Sequence, residues 1–217
     1  RAQTMSGDPA VSLNTAFMGD GAVIHVAAGT RLARPLHLVF ITAGDRATAV
    51  FTRSLVVVGS RAHVTLIESH EGPEGVDYQG NHALELIVGD EAEINHVKLI
   101  GEGSGALHIS TLLAEIGAHA AFNDFSFITG GAVVRNQLSL RFAGEGATGD
   151  IRGARLLRGR QHADTTMVVD HAAVGGVSRE MFKSVLDGES RGVFQGKIIV
   201  RPDAQKTDAK MMTQALL

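Results

Sequence analysis

The chain has 217 residues, with 26 Gly, 4 Pro, no Cys and no Trp, and its 20 Lys+Arg against 23 Asp+Glu leave a net charge of −3. Hydrophobic residues at 44% are enough to build a buried core, which excludes a disordered or collagen-like chain. The lack of thiols excludes disulfides, thiolate metal sites and a cysteine nucleophile among these residues. Well-mixed charge excludes a basic nucleic-acid-binding face.

The first residues, Arg1 to Ala10, lack the basic-then-apolar order of a secretory signal. No run of about 18 apolar residues follows, so no membrane-spanning helix is expected. From Val23 onward short β-branched runs alternate with period two and are bounded by Gly or polar clusters. They are Val23–Val26, Leu36–Ile41, Leu55–Val58, His63–Ile67, Leu84–Val88, Ile94–Ile100, Phe122–Ile128, Gln137–Phe142 and Lys197–Val200. Such runs read as strands. Ser178–Leu186 is predicted to be a helix, with Ser178 as N-cap and Gly188 as its stop. Glu71–Gly75 and Gly101–Gly105 read as loops.

A frame of Gly-x-x-(small or apolar) punctuates the strands at Gly29–Leu32, Gly59–Ala62, Gly89–Ala92, Gly117–Ala120 and Gly144–Ala147. Its glycines lie 30, 30, 28 and 27 residues apart. A period of that size marks stacked rungs. Glycine is expected at the recurring corner because it accepts φ > 0. The fold class predicted is therefore all-β, a right-handed parallel β-helix of about seven coils, with residues 1–217 forming one core domain. An ordinary β-sandwich is the alternative, and it would show closer turn signals and more aromatic residues.

Candidate chemistry is sparse. His25, His37, His63, His96 and His108 stand singly in alternating strands and read as polar-face or hydrogen-bonded interior residues. His162, Asp164, Asp170 and His171 form the densest His and carboxylate group, a weak candidate for a divalent ion because no second His follows at i+2 or i+4. Glu68, Glu85 and Glu93 are scattered, there is no G-x-S-x-G, and Gly101–Gly105 lacks the Lys-Ser/Thr of a phosphate loop. A β-helical carbohydrate-active enzyme of lyase or hydrolase type and a plain metal-binding module remain as alternatives to a scaffold.

The last third is the most specific stretch. Asp170-His171 is followed by Ser178–Lys183, then Gly192-Val-Phe-Gln-Gly-Lys-Ile-Ile-Val200, then Ala204-Gln-Lys-Thr-Asp-Ala209, ending in Ala215-Leu-Leu217. This pattern resembles the SufB/SufD family of iron–sulfur cluster assembly proteins. Leu13–Ala16, Pro35–Leu38, Leu66–His70 and the run from His162 to His171 favour its SufD branch.

The resemblance implies a right-handed β-helix core and a non-catalytic subunit of the cytoplasmic SufBCD complex, supporting iron acquisition and cluster assembly. It implies pairing with SufB through the C-terminal part of the β-helix, or self-association when alone. It also implies binding of the SufC ATPase through a helical region outside this segment. Family-motif and interface candidates are His171, Lys183, Val193, Phe194, Gln195, Gly196, Lys197, Gln205, Lys206 and Asp208. No cofactor is expected on the segment itself, and iron or a cluster only in the full complex.

Two departures accompany the resemblance. The family commonly has Pro and Cys soon after the Asp-His pair, where this chain has Val174-Gly175-Gly176-Val177. Both termini look cut, so the segment reads as a β-helix core without the helical regions on either side. The alternating strand Val193–Val200 suits pairing with another chain. Its pattern leaves an interior rung equally open.

Overall fold

The computed structural model describes residues 7–217, and nearly all of its regular structure is strand. One parallel sheet stacks β1 (Val23–Val26), β3 (Thr48–Val58), β5 (Tyr78–Val88), β7 (Leu107–Ile116), β9 (Val133–Phe142), β11 (His162–His171) and β13 (Arg191–Val200) in that order. The second stacks β2 (Leu36–Ile41), β4 (His63–Glu71), β6 (Glu93–Ile100), β8 (Ala121–Ile128), β10 (Thr148–Leu157), β12 (Val177–Leu186) and β14 (Asp208–Leu216). Each coil contributes one strand to each sheet, so the chain winds as a two-sheeted parallel β-helix of seven rungs. Even-numbered side chains of β4, β6 and β8 are buried, and their odd-numbered neighbours are mostly more exposed. That alternation is the period of two seen in the sequence.

The corner glycines have a different cause from the one expected. Among the five frame glycines only Gly29 has positive φ, at +70°. Gly59, Gly89, Gly117 and Gly144 are fixed by close stacking instead: a Cβ on Gly144 would lie 1.9 Å from the Ala118 nitrogen, and one on Gly59 2.5 Å from the Ala28 nitrogen. The left-handed residue falls two positions later, on Arg61, Glu91, His119 and Gly146, with φ of 59°, 58°, 54° and 63°. Each donates its N–H to the rung above, as Arg61 does to the Asp90 carbonyl at 2.9 Å and Glu91 to the Ala118 carbonyl at 2.8 Å. The small residues that follow, Ala62, Ala92, Ala120 and Ala147, are buried in the turn.

Ser178–Leu186 is strand β12, not a helix. It pairs in register with β10 and β14, and Ser178, Glu180, Phe182 and Ser184 alternate inward. Helix-forming Arg, Glu, Met and Lys fill its outward and inward positions alike, and pairing on both edges overrides local propensity. The one described helix, α1 (Pro9–Phe17), lies where sequence periodicity gave no signal. Asp8 caps it, its Oδ1 accepting from the Ala10 and Val11 N–H groups, and Pro9 opens it. Among the described residues no helix is long and apolar enough to cross a membrane.

Two apolar clusters fill the lumen, a large one including Val56, Leu86, Ile94, Leu112, Phe122 and Leu140, and a small one of Ile100, Ile128, Val134, Leu157 and Ala163. Polar rows run between them. Thr52, His82, Ser110, Asn136 and Thr165 are ladder partners across five strands of the first sheet, and Glu68, Lys98 and Ser126 across three of the second. These polar side chains are almost fully buried.

Gly144→Ala is expected to destabilise the chain by on the order of 2–3 kcal/mol through overpacking, whereas Glu91→Gly, which relieves a left-handed backbone, gains up to about 1 kcal/mol. Urea unfolding of the two variants beside wild type checks both signs.

Candidate functional site

The lumen brings His70, His82 and His108 together. Their donor nitrogens lie within 4.8 Å of one another, which makes them the one metal-capable trio of His, Cys or carboxylate side chains among the described residues. Ring centroids are 4.7 Å apart for His70 and His82, 4.8 Å for His70 and His108, and 5.5 Å for His82 and His108. His70 comes from the end of β4 in one sheet, and His82 and His108 from adjacent strands β5 and β7 of the other. Phe40, the ladder partner of His70, stacks on its ring at 4.7 Å and 5°.

Two of the imidazoles are oriented through Nδ1. Thr52 Oγ1 and His82 Nδ1 share a hydrogen bond of 2.8 Å, and Glu102 Oε2 accepts from His108 Nδ1 at 2.8 Å. Gly80 leaves room for the His82 ring, since a Cβ there would meet Nε2 at 2.4 Å. Helix α1 fixes this region from outside. Asn14 Nδ2 donates to the Thr52 and Asn81 carbonyls, both at 2.9 Å, and Asn81 Nδ2 donates to the Ala10 carbonyl at 3.0 Å.

Both nitrogens of His70 and Nε2 of His108 are buried without a hydrogen-bond partner. Burial, reinforced by His108, holds the His70 imidazole well below its ordinary pKa and His82 at about 3, so both rings are neutral at pH 7.

A second buried group lies alongside. His96 receives Asp124 Oδ1 on Nδ1 at 2.6 Å and Glu68 Oε2 on Nε2 at 2.9 Å, and Lys98 Nζ stands 3.7 Å from Glu68 Oε2. Burial pushes the His96 pKa down, but hydrogen bonds and charge from Asp124 and Glu68 outweigh it and raise it to about 9. Burial likewise opposes ionisation of Glu68, yet Lys98 and His96 hold it well below the usual carboxylate range. The group is two carboxylates against two cations, so the lumen carries no net charge there.

The residues singled out from the sequence are placed differently. His162 and His171 sit at opposite ends of β11, about 30 Å apart for ten residues of strand. Asp164 accepts from Arg135 at 3.0 Å, and Asp170 takes Arg201 through both oxygens at 2.9 Å. His171 is buried, stacked on Phe142 at 4.8 Å, with Nε2 at 2.9 Å from Ser178 Oγ. These four do not converge on one point.

Of the single histidines, His96 and His108 are interior and hydrogen-bonded as expected, but His108 shares its site with two others. Lys183 is exposed on β12, and Gln195, Gly196 and Lys197 on β13. Val193 and Phe194 are half-buried, Gln205 and Lys206 are exposed in the last corner, and Asp208 is ion-paired with Arg179.

His82 carried no signal of its own. It and His108 are 26 residues apart, whereas the ladder partner of His82 is Ser110, so the pairing is diagonal and needs the exact register.

The raised His96 pKa sets a pH dependence. Protonation of His96 is favoured in the folded state, so its stabilisation is complete below the unfolded value of about 6.5 and is lost as pH rises through about 9. Wild type is expected to lose on the order of 3 kcal/mol over that interval, and His96→Gln to be less stable at pH 6.5 but flat across it. Urea midpoints at pH 6 to 10 check the difference.

Comparison with known proteins gives the context of this architecture. Residues 40–217 match the family model described as SUF system FeS cluster assembly, SufBD core domain. An iron–sulfur cluster assembly SufBD family protein of Synechocystis is 30% identical over 217 residues, covering 95% of this chain and 48% of that protein. The iron–sulfur cluster assembly protein SufD of Escherichia coli is 30% identical over 204 residues, 90% of this chain and 48% of that protein. A SufBD family protein of Mycobacterium tuberculosis is 25% identical over 193 residues, 86% of this chain and 47% of its own length. The chain thus spans about half the length of the curated relatives it matches. With a parallel β-helix beneath a match that covers most of its residues, the chain belongs to the SufB/SufD core family of the SUF iron–sulfur cluster assembly system.

Proposed function

We propose that this chain is the β-helical scaffold of a SufD-like, non-catalytic subunit in iron–sulfur cluster biogenesis, pairing with a SufB-type subunit through its last rung. The observation that carries the reading is where the family's most specific motifs fall. Gly192–Val200 lies on β13 and Ala204–Ala209 leads into β14, and among the described residues each of these strands has a neighbour on one side alone.

On this reading the last described rung is the one that receives the partner. A strand with one free edge offers a row of backbone N–H and C=O groups to a further strand. Beneath the edge, Phe194, Ile198 and Met211 pack against the main core while remaining partly exposed, and Phe194 meets Phe182 at 4.6 Å between centroids. A SufB-type strand stacked there would bury these side chains as an interior rung buries its own. Gln195, Lys197, Gln205 and Lys206 face outward and are available to set specificity. A SufC-type ATPase, on this reading, binds a helical region outside the β-helix. The Glu68–His96–Asp124 grouping also speaks for a scaffold over a glycosidase, because both carboxylates are engaged inside the lumen and neither faces a groove.

Co-expression with a SufB-type partner tests the proposal. Single prolines placed at each position from Gln195 to Ile199 are expected to alternate. Those that remove an outward N–H lower capture of the partner at least roughly tenfold with little change in melting temperature, and those that remove a bond to β11 destabilise the chain itself. Capture that is equal to wild type in every folded proline variant would show that the partner does not pair with this edge.

A further inference from the structure

We propose that His70, His82 and His108 bind one divalent transition-metal ion of the zinc or cobalt(II) class inside the β-helix. This goes beyond the assembly role and does not depend on it, because the site is built from β4, β5 and β7 and not from the terminal rung.

Four observations converge. The first is the donor set: three neutral-type nitrogen ligands with no thiolate nearby suit zinc, cobalt, nickel or iron(II), and three imidazoles with a fourth position open is a familiar zinc geometry. The second is satisfaction. His70 Nδ1, His70 Nε2 and His108 Nε2 are buried without partners, and buried nitrogens left unpaired are destabilising unless hydrogen-bonded or coordinated.

The third is the outer shell. Glu102 engages Nδ1 of His108 and Thr52 engages Nδ1 of His82, which leaves Nε2 of both rings for an ion, as second-shell partners of metal-bound histidines do. The fourth is proximity to the surface. Glu102, whose carboxylate is buried against His108, also lines a surface cleft with Glu74, Ser104, Arg158 and Gln161.

Size and charge are compatible. Donors spaced at up to 4.8 Å sit about 2.8 Å from their common centre, so each draws in by about 0.7 Å to make a bond of roughly 2.1 Å. Glu102 places a carboxylate against His108, beside the trio.

The test uses the 217-residue chain, stripped with chelator, passed through a desalting column and titrated with Co2+ alone, then with Zn2+. One equivalent of Co2+ is expected, with the visible d–d bands of a low-coordinate nitrogen site, no thiolate charge-transfer band, and displacement by Zn2+. His82→Gln and His108→Gln should each weaken binding at least roughly 100-fold, Glu102→Gln about 10-fold to 100-fold, and His171→Gln not at all. No stoichiometric uptake by wild type, or undiminished uptake by folded His82→Gln and His108→Gln variants, would overturn the proposal. Should the histidine variants not fold, Co2+-induced paramagnetic shifts in the wild-type chain decide: they must centre on the His70, His82 and His108 rings and the stacked Phe40, and shifts centred on His162 or exposed histidines would refute the site.

Discussion

In-register parallel stacking is the constraint from which the rest follows. Neighbouring strands lie about 4.8 Å apart, so every residue sits directly against its counterpart one coil away, and the ladder from Thr148↔Val177 to Leu157↔Leu186 runs without a break. Like meets like wherever the position repeats. Alanine fills the tight turn at four successive corners, and at those same four corners a glycine stands two residues before the left-handed position because a Cβ would strike the neighbouring coil. The same stacking forbids identical buried charges in a column. Glu68 is therefore opposite Lys98, and His96 opposite Asp124.

A β-helix interior is most simply filled with aliphatic residues, as the stacked Val56, Leu86, Ala114 and Leu140 show. The polar rows depart from that solution, and the structure compensates locally. Charges are matched within the Lys98, Glu68, His96 and Asp124 group, and Glu102 and Thr52 hydrogen-bond imidazole nitrogens. Outside, α1 seals the backbone at Thr52 and Asn81, and Asp8 Oδ2 accepts from Gln137 Nε2 at 2.7 Å several rungs further along. The helix thus braces the part of the solenoid whose lumen is least apolar.

Much of the architecture was legible in the sequence, and the parts that were not share one cause. Alternation at His63–Ile67 or Ile94–Ile100 and the 27–30-residue glycine spacing are local or strictly periodic, so they survive reading in one dimension. The role of the corner glycines is not legible there, since φ and inter-rung clearance produce the same residue choice and only coordinates separate them. Ser178–Leu186 reads as a helix through Ser178 as N-cap and Gly188 as stop, while its strand state is set by pairing with β10 and β14. The histidine trio was hidden most deeply. It joins two sheets, with His70 from one and a diagonal pair from the other, and no spacing rule within a single strand announces it. His162 and His171 drew notice through closeness in sequence, which along an extended strand means distance in space.

The unequal corner loops have a consequence for how such a chain can change. The connection between β4 and β5 has six residues and that between β8 and β9 has four, while the strand ladders on either side remain in step. An insertion or deletion in a corner is absorbed there and leaves the later coils unshifted. The same change inside a strand would turn every subsequent lumen residue of that strand outward, carrying His82 or Glu68 into solvent. Length variation among related chains is accordingly expected in the corners, with the lumen kept as a block.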